Sequence, residues 1–312
     1  MNDKITYAYL ETTNYCNLDC SFCNRKEVVS KLIHMPLSKW TNMLEKIKHH
    51  PIEECKLMGM GEPMLHPQFD QVTAEFKRFF PKSKVIVATN CQYNISEGSK
   101  MRSRLEGAMK SIDMLYLSID GYEDSYERDR APAKWEKLIK FLEDFQFLDR
   151  GGCQVVINYV VNKQNIFDIP KINAFQDQYN LDDFRLNIAQ DWSEESSISD
   201  NSNTWGYSQD QLDYLKGYKD YIKGKSPWTW SDCFWPQKGL YTTVDGSVKV
   251  CCLNTGAKSI GNIFEEDIDS IRSKPEFVKI KNGCSSNNPE DHCKNCSYKE
   301  LSPLLEELQV SN

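Results

Sequence analysis

The segment ETTNYCNLDCSFC, residues 11–23, places three cysteines on one loop directly after a predicted strand at Ile5–Glu11. Their spacing is Cys16-x3-Cys20-x2-Cys23. Zinc usually takes four ligands and favours paired CxxC units, whereas three thiolates alone suit a [4Fe-4S] cube with one iron left open. The spacing by itself therefore favours an iron–sulfur site, with zinc as the alternative.

A regular alternation of strands and helices extends from this loop to about residue 190. Further strands are predicted at Glu54–Met58, Lys84–Thr89, Met114–Ile119, Gln154–Val161 and Asp183–Ile188, with helices between them at Ser38–His50, Gln68–Phe80, Lys100–Lys110, Ala133–Leu148 and Ile166–Tyr179. Such a series predicts parallel strands, and right-handed crossovers curl the sheet into a barrel or part of one. We therefore predict an α/β fold with a partial (β/α)6 TIM-like barrel over residues 1–190, whose functional groups lie at the C-terminal ends of the strands.

The composition limits the class of protein. The 312 residues include 27% charged and 40% hydrophobic residues, as in an ordinary globular protein. The net charge of −7 argues against a nucleic-acid partner, and no apolar run approaches the ~20 residues of a membrane span. Since no signal segment is recognisable, we expect a cytoplasmic protein, in which the 12 cysteines would not form a disulfide framework.

Three further motifs stand at the ends of later strands. These are Gly59-Met60-Gly61-Glu62-Pro63 after strand two, Thr89-Asn90 after strand three, and Ser118-Ile119-Asp120-Gly121 after strand four. Together with CxxxCxxC and an aromatic residue, Phe22, before the third cysteine, they resemble the radical S-adenosylmethionine (SAM) superfamily. The resemblance covers about residues 5–190. It departs from the family's frequent Thr-Asn-Gly motif at Cys91.

The resemblance implies a cofactor and the residues that bind it. Cys16, Cys20 and Cys23 would hold a [4Fe-4S] cluster whose open iron chelates the amino and carboxylate groups of SAM. Reduction of the cluster would cleave the S–C5′ bond, and the resulting 5′-deoxyadenosyl radical would abstract a substrate hydrogen. The implied SAM-binding residues are Phe22, Gly59, Gly61, Glu62, Pro63, Thr89, Asn90, Ser118, Asp120, Arg130 and Val161.

A second group of cysteines lies in the last third of the chain. Cys233 and Cys251 are separated by 17 residues, and Cys293 and Cys296 form a CxxC. A hairpin predicted around Asp245-Gly246, with the CxxC, can bring four thiolates together, an arrangement that zinc would also accept. In a chain with a radical SAM-like barrel, however, the pattern resembles the auxiliary-cluster domains called SPASM and twitch. No cysteine follows Cys296, which favours the twitch form with one auxiliary [4Fe-4S] cluster.

The chain is therefore predicted to have three segments. Residues 1–190 form the barrel, and residues 191–232 form a polar linker or lid followed by a helix at Gln209–Lys223. Residues 233–312 form a small α+β auxiliary iron–sulfur domain that contains the hairpin. The predicted ligands of the auxiliary cluster are Cys233, Cys251, Cys293 and Cys296, with Cys284 as a replacement for one of them.

Two residues are candidates for catalysis. Cys252 adjoins a predicted ligand but points to the opposite face of its strand, where its thiol could donate a hydrogen atom to a substrate radical, as radical SAM epimerases do. Arg185, on strand six, shares a face with Asn187 and could orient substrate hydroxyls or help deprotonation. The alternatives are a packing role for Cys252 and an ordinary surface or supporting role for Arg185.

The resemblance favours a radical SAM oxidoreductase or epimerase that acts on a small polar substrate such as a sugar or an aminocyclitol. The cysteine pattern is similar to that of the twitch-type 2-deoxy-scyllo-inosamine dehydrogenase, in which the auxiliary cluster would accept an electron from the substrate. A flavodoxin or ferredoxin would supply the reducing electron. A pure electron carrier would not need the motifs around the open iron.

The alternative is modification of a ribosomally made peptide, by epimerisation or by thioether or C–C crosslinking. Enzymes of that kind often carry an N-terminal peptide-recognition domain. Only 15 residues precede Cys16, so that domain is not expected here, and a separate protein would have to deliver the peptide.

Overall fold

Six parallel strands form the central sheet of the computed structural model, which describes residues 4–189, 206–224, 229–252, 258–294 and 296–309. The strands pair in the order β6-β5-β4-β3-β2-β1, and their bounds are β1 Tyr7–Leu10, β2 Glu54–Lys56, β3 Lys84–Thr89, β4 Met114–Ser118, β5 Gln154–Val161 and β6 Asp183–Ile188. Every neighbouring pair among them is parallel, which confirms the predicted partial barrel. The predicted linker at 191–204 lies outside the described residues.

Amphipathic helices cover the outer face of the barrel sheet. In the helix at Leu37–Ile47, for example, the buried side chains are Trp40, Met43, Leu44 and Ile47, which recur at helical spacing. None of the helices in the described ranges is long and apolar enough to cross a membrane. The helices are α1 Arg25–Val28, α2 Leu37–Ile47, α3 Phe69–Phe79, α4 Lys100–Met109, α5 Asp124–Asp129, α6 Trp135–Phe145, α7 Ile169–Asn173, α8 Phe175–Gln178, α9 Gln209–Lys216, α10 Trp235–Lys238, α11 Ile268–Arg272, α12 Pro275–Ser285, α13 Asp291–Lys294 and α14 Ser297–Gln309.

Two helices are shorter than their sequence patterns predict. Between residues 166 and 179 the chain forms a 3-10 turn and then the short helices α7 and α8, and Pro170 stands in the first turn of α7. Helix α9 ends before Gly217, and a 3-10 turn at Lys219–Tyr221 replaces the predicted last part. Proline removes a backbone donor and glycine has a low helix propensity, so each breaks a pattern that periodicity alone would continue.

Alternation along the strands gives the sheet two faces. Ala8, Val87 and Leu117 point toward the helices and are fully buried. The opposite face, called here the inner face, carries a small apolar cluster of Ile86, Tyr116 and Val156. Strand register places these polar or aromatic residues on the same face: Tyr7, Tyr9, Lys56, Ser118, Asn158, Arg185 and Asn187.

The predicted hairpin extends the barrel sheet instead of forming a separate one. Strand β7 (Gly239–Thr242) pairs parallel with β1 and antiparallel with β8 (Ser247–Lys249), which pairs with β9 (Gly261–Asn262). At the turn, Gly246 has a φ of 86°. A Cβ there would lie 2.5 Å from the Phe264 ring, so the turn requires glycine. The result is a nine-stranded sheet in which β1 lies between barrel and hairpin.

Replacing Trp40 by alanine should destabilise the barrel. The side chain is fully buried between α2 and α3, and its indole Nε1 donates to the Val72 carbonyl at 3.1 Å. The cavity and the lost bond should together lower the free energy of unfolding by about 3–5 kcal/mol. Anaerobic thermal unfolding would measure this loss. The control is Phe147→Ala, since Phe147 is 78% exposed and should change stability by less than about 0.5 kcal/mol. Equal effects of the two variants would contradict the packing described here.

Candidate functional site

The three-cysteine loop leaves the C-terminal end of β1 and is fastened to the chain that follows α5. The backbone N–H groups of Asp19 and Ser21 donate to carbonyls of that segment at 2.6 and 2.9 Å. Cys16 and Cys20 are partly buried, whereas Cys23 is exposed. Burial raises the pKa of Cys20 to about 12. A metal bound here would therefore displace protons from the thiols.

The segment after β2 packs directly against this loop. A Cβ on Gly61 would lie 2.3 Å from the Thr13 carbonyl oxygen and 2.7 Å from that of Tyr15, so a larger residue cannot be accommodated. Glu62 N donates to the Tyr15 carbonyl at 2.8 Å. The predicted glycine-rich motif and the cysteine loop are thus neighbours at one edge of the sheet.

Glu62 joins this segment to the end of β3. One of its oxygens accepts from Met64 N at 3.1 Å and from the Thr89 hydroxyl at 2.8 Å, and the other accepts from Asn90 N at 2.7 Å. Burial raises the pKa of Glu62 to about 7 even though these bonds lower it. The Asn90 amide in turn lies 3.9 Å from the Cys16 sulfur. Glu62, Thr89 and Asn90, all predicted from the motifs, are therefore brought together.

Asp120 and Arg130 form a buried ion pair beside the cysteine loop. One Asp120 oxygen accepts from Arg130 Nε at 2.7 Å, and the other accepts from Val160 N at 2.7 Å. Burial lowers the pKa of Arg130, but Asp120, Cys20 and Tyr126 together more than offset it, so the pKa is raised. The guanidinium lies 5.5 Å from the centroid of the Phe22 ring. Asp120 thus holds Arg130 against the aromatic residue of the cysteine motif.

Among the other predicted SAM-binding residues, Ser118, Val161 and Pro63 differ in whether their side chains face the inner side of the sheet. Ser118 lies on the inner face, paired in register with Asn158. Val161 is fully buried on the outer face, and its carbonyl accepts from the Tyr207 hydroxyl at 3.1 Å. Pro63 is buried at the start of a 3-10 turn. Val161 and Pro63 therefore shape the backbone of the site, whereas Ser118 presents a side chain to the inner face.

Glu11, which the sequence analysis did not single out, links the barrel to the hairpin. One carboxylate oxygen accepts from Met60 N at 2.5 Å, and the other accepts from Val244 N at 2.9 Å. A Cβ on Gly59 would lie 2.5 Å from Glu11 Oε1. Burial raises the pKa of Glu11 to about 7. The available signal was its position: an acidic residue that ends a buried strand five residues before the first cysteine.

Besides the four predicted ligands, Cys284 lies among the C-terminal thiols, and Cys252 is close to Cys251 and Cys233. Burial raises the pKa of Cys233 to about 12, and the charges of Cys251, Cys284 and Cys296 raise it as well. A hydrogen bond joins the thiols of Cys284 and Cys293, and it lowers the pKa of Cys284 while it raises that of Cys293. The four predicted ligands are thus near one another, together with the alternative ligand Cys284.

Cys251 and Cys252 follow β8, outside the strand that the hairpin pattern predicted for them. Cys251 faces the other cysteines, as its effect on Cys233 indicates. Burial raises the pKa of Cys252, and the nearby Lys56 ammonium opposes that rise. The Cys252 charge in turn raises the pKa values of Tyr9 and Tyr241. Cys252 therefore adjoins the inner face of the sheet.

Polar side chains from three strands meet on the inner face. Arg185 on β6 donates through a terminal guanidinium nitrogen to the Tyr116 hydroxyl, and its Cζ lies 4.9 Å from the Tyr116 ring centroid. Asn187 donates to the side-chain oxygen of Asn158 at 2.8 Å. Arg185 and Asn187 were candidates from the sequence, whereas Lys56 was not. Strict alternation along β2 could have placed Lys56 on this face.

These observations define a thiol-rich α/β protein: a partial (β/α)6 barrel with a three-thiol loop at the end of β1 and further thiols in a C-terminal extension. The sequence model of the radical SAM superfamily matches residues 10–173, and that of the SPASM iron–sulfur cluster-binding domain matches residues 233–297. The chain belongs to the radical SAM superfamily, with a SPASM/twitch-type region at its C-terminal end.

Known proteins of similar sequence or fold act on different substrates. The sporulation killing factor maturation protein SkfB of Bacillus subtilis is 23% identical over 94% of this chain and 69% of its own length. BtrN, crystallised with AdoMet and 2-DOIA, shares the fold at a TM-score of 0.58 and 15% identity, covering 96% of this chain and 93% of BtrN. Streptococcus suis SuiB, crystallised with the precursor peptide SuiA, shares the fold at a TM-score of 0.65 and 17% identity. The match covers 96% of this chain and 71% of SuiB.

The chain spans 47%, 69% and 61% of the lengths of three curated relatives that it matches. The solved structures are less than 25% identical to it, so their likeness concerns the fold. The family matches indicate [4Fe-4S] clusters and SAM as cofactors. The donor sets fit these groups, since both regions gather thiols, the ligands that iron–sulfur clusters take.

Glu11→Gln should change how stability depends on pH. A carboxyl whose pKa rises from 4.5 to about 7 on folding binds a proton more readily in the folded state, so the free energy of unfolding falls as pH rises through that window. This loss amounts to roughly 3 kcal/mol for Glu11. Melting temperatures between pH 5.5 and 8 should therefore fall less steeply in Glu11→Gln than in the wild type. Glu53→Gln, at an exposed position, is the matched control. If the melting temperature of Glu11→Gln falls with pH as steeply as that of the wild type, the raised pKa of Glu11 would be contradicted.

The five C-terminal thiols should separate into four ligands and one supporting residue. Cys284 is the most buried of them and lies on α12. After anaerobic reconstitution, wild type and Cys284→Ser should each hold about eight irons, whereas Cys293→Ser should hold about four, as should Cys16→Ala/Cys20→Ala/Cys23→Ala. Loss of four irons in Cys284→Ser but not in Cys293→Ser would instead make Cys284 the ligand and Cys293 the supporting residue.

Proposed function

We propose that this radical SAM enzyme removes a hydrogen atom from a small polar substrate on the inner face of the sheet, and that Cys252 returns a hydrogen atom to it, so that the net reaction is an epimerisation. The observation that supports the proposal is the position of Cys252, which follows the predicted ligand Cys251 and also adjoins Lys56 and Tyr9 on the inner face. A hydrogen-atom donor must carry its proton. Burial raises the pKa of Cys252 and so favours the S–H form at neutral pH.

The hydrogen balance of this reaction is closed. Cys16, Cys20 and Cys23 would hold the cluster, which with SAM and one electron from an external carrier such as a flavodoxin or ferredoxin would supply a 5′-deoxyadenosyl radical to take a hydrogen from the substrate carbon. Cys252 S–H would give a hydrogen to the opposite face of that carbon and become a thiyl radical. A second electron from the carrier, and one proton, would restore the thiol.

The inner face supports a polar substrate. Asn158 and Asn187 are hydrogen-bonded to each other there, and Arg185 and Ser118 lie on neighbouring register positions. Amide, hydroxyl and guanidinium groups recognise hydroxylated molecules through hydrogen bonds. Sugars and aminocyclitols therefore suit this surface, and the structural neighbour BtrN was crystallised with 2-DOIA.

The test is solvent deuterium incorporation. With a panel of amino sugars and aminocyclitols in D2O, wild type should form 5′-deoxyadenosine and a product that carries one deuterium at the inverted carbon. Cys252→Ala should still form 5′-deoxyadenosine but lose the deuterated epimer, because the returning hydrogen comes from the exchangeable thiol. The matched control is Cys153→Ala, since Cys153 is buried at the opposite end of β5. A ketone formed at the wild-type rate by Cys252→Ala would overturn epimerisation and favour oxidation.

Peptide modification is the second candidate. It is supported by the similarity to SkfB and by the fold shared with SuiB, which was crystallised with its precursor peptide. The same assay distinguishes the two functions. If 5′-deoxyadenosine forms faster with precursor peptides and does not respond to any small molecule of the panel, the peptide function replaces the small-molecule one.

A further inference from the structure

The inner face carries the cations Lys56 and Arg185, as well as the exposed Lys84 at the start of β3. Lys56 on β2 and Arg185 on β6 are close enough that the Arg185 charge lowers the pKa of Lys56. Within the described ranges neither forms an ion pair: Lys56 Nζ lies over the Tyr7 ring at 5.5 Å, and Arg185 bonds to the Tyr116 hydroxyl. We propose that Lys56 and Arg185 bind an anionic group of the substrate, a carboxylate or a phosphate. This inference rests on the proposed small-molecule function and names its substrate class.

Placing Lys56 and Arg185 near each other costs free energy when no anion is bound. Removing a cation from water costs free energy unless an opposite charge or hydrogen bonds compensate, and two neighbouring cations also repel each other. Burial is the largest effect on Lys56 and lowers its pKa, with Glu54 and the Cys252 thiol opposing it. Glu54 therefore offsets the charge in part, from beyond ion-pair distance.

Arg185 has an unused hydrogen-bond donor that could bind such a ligand. Its Nε is buried and has no hydrogen-bond partner in the described part of the chain. An unsatisfied buried donor is unusual and destabilising, so its retention points to a partner that arrives with the ligand. Guanidinium groups bind carboxylate and phosphate oxygens through two parallel N–H donors, and the Nε edge is suited to this.

The position of the cations fits the proposed chemistry. Lys56 is near Cys252, since each affects the pKa of the other. An anion held by Lys56 would therefore place the rest of a small substrate beside the thiol. The apolar side chains of Ile86 and Val156 on the same face would pack against its carbon skeleton.

The experiment measures anion binding apart from turnover. Cluster-loaded wild type with SAM is titrated with inorganic phosphate and, separately, with glycerate, and binding is followed by calorimetry and by the rise in melting temperature. We expect one of the two anions to bind, and Lys56→Met and Arg185→Gln each to weaken that binding at least tenfold. The two titrations distinguish a phosphate from a carboxylate. Lys84→Met, which removes an exposed lysine at the start of β3, should bind as the wild type does.

The melting temperature of the unliganded variants gives a second readout. A cation that only stabilises the fold would lower the melting temperature when it is replaced. A cation kept for a ligand should leave the melting temperature unchanged or raised, because Lys56→Met removes an uncompensated charge. Failure of both anions to bind wild type, equal binding by the variants, or a destabilised Lys56→Met would each overturn the proposal. Failure of the Cys252 experiment would not affect these results, since no hydrogen transfer is measured.

Discussion

The pairing of β1 on both of its edges is the constraint on which the rest of the structure depends. One edge pairs with β2 of the barrel and the other with β7 of the hairpin. Backbone bonds continue this pairing beyond the strands, from Thr6 N to the Lys238 carbonyl and from Glu11 N to the Thr242 carbonyl, both at 3.0 Å. Since the first cysteine loop leaves β1 and Cys251 follows the hairpin, backbone hydrogen bonds set the relative position of the two thiol groups.

Two buried carboxylates fasten the loops around this strand. Glu11 accepts backbone N–H groups from the segment after β2 and from the hairpin turn, and Glu62 accepts them from Met64 and from the end of β3. Both have pKa values raised to about 7 by burial, so each costs stability as a carboxylate. Charged acceptors form stronger bonds to N–H groups than neutral ones do, and such bonds hold loops that have few contacts of their own.

The barrel could be predicted from the sequence because its signals are local. Alternating patterns located all six strands, and motifs at the strand ends located Glu62, Asn90, Asp120 and Arg130. The pairing of β7 with β1 could not be predicted, because it joins residues more than 200 positions apart and leaves no local pattern. Lys56 was overlooked for another reason: β2 has only three residues, so the alternation along it is a short and weak signal.

The auxiliary region shows a different limit of sequence reasoning. Spacing predicted Cys233, Cys251, Cys293 and Cys296 as ligands, but spacing cannot say which additional thiol will approach them. Cys284 does so because α12 carries it to Cys293, and helix packing of this kind depends on tertiary contacts. A hydrogen bond joins the thiols of Cys284 and Cys293. Hydrogen bonds to cluster sulfurs are among the factors that set reduction potentials, so this contact bears on the potential of a cluster bound there.

The adjacent cysteines 251 and 252 connect these two halves of the molecule. Neighbouring residues on an extended chain point in opposite directions, so one backbone segment can place Cys251 among the auxiliary thiols and Cys252 beside Lys56. The segment continues from β8, which pairs with β7 and through it with β1. If Lys56 and Arg185 hold the anionic end of a substrate, as proposed, the same strand pairing that positions the auxiliary thiols also fixes the distance between that anion and the hydrogen-donating thiol. Substrate length would then select which carbon lies within reach of Cys252.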